Sequence, residues 1–254
     1  MGTFLSIHKD VSRRIFKFYL DIEDRYMLLL SVGVKTKFSQ EIAENIAYKG
    51  YINLLEYLHK PPVKAGWFYC SQAALGGQLE TLKWLKMNQY DWDARTCSSA
   101  VQNGHFEVLR WAREKGCNID SRSTRLASLN GHFEILKYCI DQECEIDEWA
   151  FAFAAKSGRL DILKYLRKQN CHKTSWACAY AAFEGHFEVL KWLRKKNCPF
   201  NRETFSNAIS GGHLEILIWL KENNCPWDSE KCIKSSKKCK NAKVLVWIKE
   251  QGYI

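Results

Sequence analysis

Four residue types in this chain have the spacing that chemistry asks for. Cysteine recurs at Cys117, Cys144, Cys171, Cys198 and Cys225, one every 27 residues. Histidine recurs at His105, His132, His186 and His213. An aromatic series runs Tyr57, Trp84, Trp111, Tyr138, Tyr165, Trp192, Trp219 and Trp247. Six lysines crowd into 231–243: Lys231, Lys234, Lys237, Lys238, Lys240 and Lys243. Thiols and imidazoles could form a metal or redox ladder, rings could stack on nucleobases, and lysines could follow phosphates. A ligand set for one metal needs several donors at one point. Donors copied once per stacked element stand ~8–10 Å apart, and a disulfide needs Cα atoms within about 7 Å. Geometry therefore favours a small buried cysteine, a turn-building histidine and an aromatic packing series. No cofactor and no metal is expected.

The elements that carry these residues follow the same interval. Gly50, Gly77, Gly104, Gly131, Gly158, Gly185 and Gly212 are each 27 apart, and an eighth copy follows 28 later at Lys240. Five residues after each anchor stands Leu, from Leu55 to Leu245, and four before it Ala in six copies. Sixteen after stand Asp93, Asp120, Asp147, Thr174, Asn201 and Asp228, residue types that cap helix N-termini. Gly116, Asn170, Asn197, Asn224 and Gly252 suit the left-handed end of a helix. One copy thus predicts a helix such as 94–103, a turn at Gly104 and a second helix such as 105–115, with Phe106, Leu109 and Ala112 inward. Such a pair cannot bury its own apolar stripe, so copies must stack.

The stretch Ala-Ala-x-x-Gly-His-x-Glu-x-Leu at 181–190 resembles the inner part of an ankyrin repeat. Gly116-Cys117-Asn118-Ile119-Asp120 is similar to the segment that closes one. The usual ankyrin period is about 33, and the missing residues fall where the β-turn finger would be. The resemblance covers 39–254 and is to the short ankyrin-type arrays abundant in large DNA viruses and some protists. It implies an all-α, ankyrin-like helix-turn-helix solenoid of about eight 27-residue repeats without β-hairpin fingers. The copies are 39–65, 66–92, 93–119, 120–146, 147–173, 174–200, 201–227 and 228–254. It also implies a non-catalytic scaffold that binds a partner protein on its concave face, a monomer, in the cytoplasm (the host's, for a viral protein).

Candidate partner-binding residues stand just before the anchor glycine, where the copies differ: Leu75, Gln102, Asn103, Leu129, Asn130, Lys156, Phe183, Glu184 and Ser210. Trp149 and Trp176 stand where other copies carry Arg95 and Arg122 and are either anchors or packing. The lysines Lys234, Lys237, Lys238 and Lys240 form a candidate basic patch for an acidic surface or nucleic acid, unless they are a polar terminal cap. Elsewhere the basic series Lys83, Arg110, Lys137, Lys164 and Lys191 is answered three residues earlier by Glu80, Glu107, Glu134, Asp161 and Glu188, which argues for a solvated face. Nucleic acid is the lesser expectation.

Residues 1–38 have no anchor and read as a helical cap. Ile15, Phe16, Leu20, Asp21, Asp24, Leu30 and Ser31 also resemble part of an F-box, which would imply a ubiquitin-ligase adaptor as partner. Gly2 fits the N-myristoylation pattern. The composition excludes the rest: 254 residues, net charge +10, 46% hydrophobic, 14 Gly and 4 Pro suit neither a disordered nor a collagenous chain. No apolar run approaches the roughly 18 residues of a membrane span. With no secretory core, the 11 cysteines point to a reducing compartment. No phosphate loop, HExxH, nucleophile elbow or CxxC is present, so no enzyme is expected.

Overall fold

The computed structural model describes residues 40–58 and 68–254. The cap, the F-box-like segment and Gly2 lie outside the described residues, and so do residues 59–67. The described residues fall into two compact units, one ending at Cys117 and one comprising Asn118–Ile254.

The first unit holds α1 (Gln40–Lys49), α2 (Ile52–Leu58), α3 (Phe68–Leu75), α4 (Leu79–Met87), α5 (Ala94–Gln102) and α6 (Phe106–Glu114). The second unit begins with α7 (Ser121–Leu129), α8 (Phe133–Asp141), α9 (Glu148–Lys156), α10 (Leu160–Lys168) and α11 (Ser175–Glu184). It continues through α12 (Phe187–Lys195), α13 (Arg202–Gly211), α14 (Leu214–Glu222), α15 (Ser229–Ser236) and α16 (Ala242–Glu250). Among the described residues there is no strand. Within each unit the first helices of successive pairs lie side by side, α1–α3–α5 and α7–α9–α11–α13–α15; each second helix up to α14 packs on the first helix of its own pair, and α16 packs on α14.

The local chemistry explains where the helices start. Asp93, Asp120, Asp147, Thr174, Asn201 and Asp228 are all N-caps, each accepting a backbone N–H with its side chain. Asn201 and Thr204 form a reciprocal capping box. The second helices start differently. His105, His132, His186 and His213 occupy the N-cap without a side-chain cap bond. Of these, the His105, His186 and His213 imidazoles are engaged elsewhere, with the preceding pair. The helices end at left-handed residues: Gly116, Asn170, Asn197, Asn224 and Gly252, but also Gln89 and Glu143 at φ 62° and 60°.

Two expectations are corrected in detail. The helices are shorter by about a residue at their ends than 94–103 and 105–115. On α6 the buried side chains are Val108, Leu109 and Ala112. Phe106 is only half-buried because it sits in the first turn, at the edge of the apolar stripe.

Candidate protein-binding face

The small framework residues prepare the face. Each cysteine of the series is buried, and its thiol donates to the carbonyl of the N-cap residue 24 positions earlier. Cys117 reaches Asp93 O at 3.2 Å, Cys144 Asp120 O at 2.9 Å, Cys171 Asp147 O at 3.3 Å and Cys198 Thr174 O at 3.3 Å. The thiol fastens the end of one pair to the start of its own first helix, which an alanine could not do. Burial pushes Cys171 up to about 11 and Cys70, Cys139 and Cys225 up to about 12. Among the described residues no group of three His, Cys, Asp or Glu could hold a metal ion.

The histidines act across pairs. His105 Nε2 donates to Leu75 O at 3.1 Å, His186 Nε2 to Lys156 O at 2.9 Å and His213 Nε2 to Phe183 O at 3.0 Å. In two pairs without the histidine, the Arg159 guanidinium donates to Gly131 O and Asn241 Nδ2 donates to Gly212 O at 2.8 Å instead. These carbonyls belong to the last turn of a first helix or to its turn glycine, where intrahelical partners run out. The imidazole lies against the glycine of the preceding pair: a Cβ on Gly158 would come 2.7 Å from His186, and one on Gly77 2.7 Å from His105. Glycine and histidine are therefore copied together because each occupies the other's space.

The same histidines fix the backbone from which Lys156 and Phe183 project. On the first-helix face of the Asn118–Ile254 unit, Trp149 and Phe153 of α9 meet Trp176 and Tyr180 of α11. Ring centroids are 6.4 Å apart for Trp149–Trp176, 6.1 Å for Trp149–Phe153, 6.1 Å for Phe153–Tyr180 and 5.8 Å for Trp176–Tyr180. One turn on, Lys156 Nζ lies 5.7 Å from the Tyr180 ring and 4.0 Å from the Glu184 carboxylate. Phe183, three residues after Tyr180 on α11, is 41% exposed and Trp176 is 37% exposed, while Trp149, Phe153 and Tyr180 are half-buried. The neighbouring first helices carry polar or aliphatic residues at the matching places: Arg122 and Leu126 on α7, Glu203 and Asn207 on α13.

Five of the sequence-derived candidates thus come together: Trp149, Lys156, Trp176, Phe183 and Glu184. Leu129 is half-buried, Asn130 is exposed at the end of α7, and Ser210 is half-buried on α13. Leu75, Gln102 and Asn103 belong to the other unit, where Asn103 Nδ2 donates to Leu75 O at 2.8 Å. Phe153 and Tyr180 were missed. The signal was present, since each follows a tryptophan by four residues and shares its helix face. The aromatic series of the second helices is packing: Tyr165 meets Phe133 edge-on at 5.3 Å, and Trp219 meets Phe187 at 5.7 Å. In the basic series Lys83 pairs with Glu80, Lys137 with Glu134 and Lys191 with Glu188 on their own helices at 2.7–2.9 Å, whereas Asp161 pairs with Arg159 at 2.6 Å rather than with Lys164, because the arginine standing in for histidine reaches it.

The family model described as ankyrin repeats (3 copies) matches residues 124–204, which contain the aromatic cluster. The crystal structure of the human ASB11 ankyrin repeat domain is similar, with a TM-score of 0.52 at 19% sequence identity. The match covers 65% of this chain and 86% of that one. No curated protein matches the chain. The fold is accordingly an all-helical ankyrin-repeat solenoid. No helix among the described residues is long and apolar enough to cross a membrane.

Proposed function

We propose that this chain is a non-catalytic protein-binding scaffold, with the first-helix face of the Asn118–Ile254 unit as its docking surface. Ankyrin repeats are modules of protein–protein interaction, and residues 124–204 match them. The observation that carries the choice of surface is the aromatic cluster of half-buried Trp149, Phe153 and Tyr180 with exposed Trp176, next to the exposed Phe183 of the same helix α11. Rings at this density in solvent are characteristic of interface anchors, because they bury large apolar area at small entropic cost. The partner presents apolar side chains to the rings. The Lys156–Glu184 pair at the rim adds orientation rather than affinity. Ring-to-ring contacts keep the cluster ordered before binding, so little of the binding energy is lost in arranging it.

The test is affinity purification of the 254-residue chain and of a Trp176→Glu/Phe183→Glu variant. Both positions are exposed, so the variant keeps its helical circular dichroism. Partners recovered with the parent chain should fall at least about tenfold in the variant, since two anchors at about 2 kcal/mol each exceed that loss. An unchanged set of partners overturns the choice of surface.

A further inference from the structure

The aromatic face of α9 and α11 has a one-sided hydrogen-bonding character. Its four touching rings are inclined to one another by only 26–39° and form a continuous apolar strip across the two helices. The polar atoms of this strip are donors. The indole N–H groups of Trp149 and Trp176 can only donate, and the Tyr180 hydroxyl donates as well as accepts. None of the three has a hydrogen-bond partner among the described residues.

The backbone acceptors that border the strip are already engaged. Lys156 O and Phe183 O accept from His186 and His213, and Ala179 O accepts from Asn207 Nδ2 at 3.2 Å. The two carboxylates of these helices stand at their ends. Glu148 begins α9, and Glu184 ends α11, where it faces Lys156 at 4.0 Å. The middle of the face therefore asks for apolar rings and for acceptors, and offers little to a donor.

Different backbones meet that demand differently. An extended strand brings a row of N–H groups that need acceptors. A helix keeps its carbonyls for its own N–H groups, so it would cover the two indoles without bonding them. A polyproline II segment brings pyrrolidine rings, lacks N–H at each proline and leaves its carbonyls free to accept. Its turn of three residues rises about 9 Å, which matches the ~8–10 Å between stacked helices. Every third residue thus meets the next first helix.

We infer that this face holds a proline-rich polyproline II segment of its partner protein, laid across α9 and α11, whose carbonyls accept from Trp149, Trp176 and Tyr180. The inference rests on the docking face proposed above and adds the chemistry of what it binds. Such a segment is preformed, so little chain entropy is lost on docking.

The probe is an array of peptides of about 12 residues, four turns of polyproline II, with Pro at every third position and varied residues between. A matched array carries Ala in place of each Pro. The 254-residue chain should retain peptides of the first array, and the tightest of them should bind at least about tenfold more tightly than its alanine counterpart. Trp176→Phe and Tyr180→Phe each keep a ring and remove a donor. Each should weaken that peptide at least about threefold, with helical circular dichroism unchanged. Trp176→Glu/Phe183→Glu should lose it. Equal binding of the two arrays, or indifference to both donor-removing variants, overturns the inference. If neither array binds while Trp176→Glu/Phe183→Glu still loses its affinity-purified partners, the docking face stands and the proline-rich inference falls. If that variant also keeps its partners, both fall. The chain's own Pro61-Pro62 is a competing occupant. Sedimentation showing a dimer that Pro61→Ala/Pro62→Ala dissolves overturns the inference in favour of a second copy.

Discussion

The side chains that looked reactive are framework, and the reason is hydrogen bonding rather than inertness. Cys117, Cys144, Cys171 and Cys198 donate to N-cap carbonyls, while His105, His186 and His213 donate to the end of the preceding first helix. Burial of the cysteines and a turn-building role for the histidines were legible from the interval alone. The bonds were not, because sequence spacing says nothing of a partner 24 or 30 residues away. One pair of side chains breaks the rule of satisfaction. The hydroxyls of Thr96 and Ser123, at matching positions of α5 and α7, are buried without a partner. Their counterparts on α9 and α11 are Ala150 and Ala177. Ser123→Ala should therefore raise stability by about 1 kcal/mol, since the buried hydroxyl is dehydrated without compensation. A urea midpoint that stays level or falls would contradict this.

Helix boundaries were the most readable feature, because capping and left-handed termini are local chemistry. All six residues expected to cap do so. The aromatic cluster was readable only in part. Trp149, Trp176 and Phe183 stood out by differing from their copies, whereas Phe153 and Tyr180 needed the helix face to be followed from one turn to the next. The turn glycines carry two demands at once, shown by Gly158, with φ 72° and an imidazole against its Cα. Gly158→Ala should cost about 1–2 kcal/mol for the left-handed backbone and more for displacing His186. Thermal unfolding of Gly158→Ala alone, and with His186→Ala to remove the clash, separates the two: the double variant should lose less than the sum of the singles.

At the scale of the molecule, each pair is stabilised by its neighbours, and four of the buried thiols add a shared sensitivity, whereas Cys117 and Cys198 are held lower by hydrogen bonds from Cys97 and Cys178. Cys70, Cys139, Cys171 and Cys225 titrate above their ordinary value of 9.0, up to about 11 or 12. The folded state holds these protons after the unfolded chain has lost them. Their contribution is thus complete below pH 9 and is lost as pH rises towards about 12. Chemical denaturation between pH 8 and 10.5 should show a steep fall, made shallower by Cys139→Ala; a flat profile would refute it. The hydrogen bonds to the carbonyls that end the first helices also have a direction. Leu75, Gly131, Lys156, Phe183 and Gly212 offer their carbonyls, and the donor always comes from 28–30 residues later. Within each unit, a nascent chain leaving the ribosome therefore always ends in a pair whose last carbonyls await the next one. Pairs lost from the leading side leave no such debt, so truncation from the two ends is not equivalent, and the array has a grain.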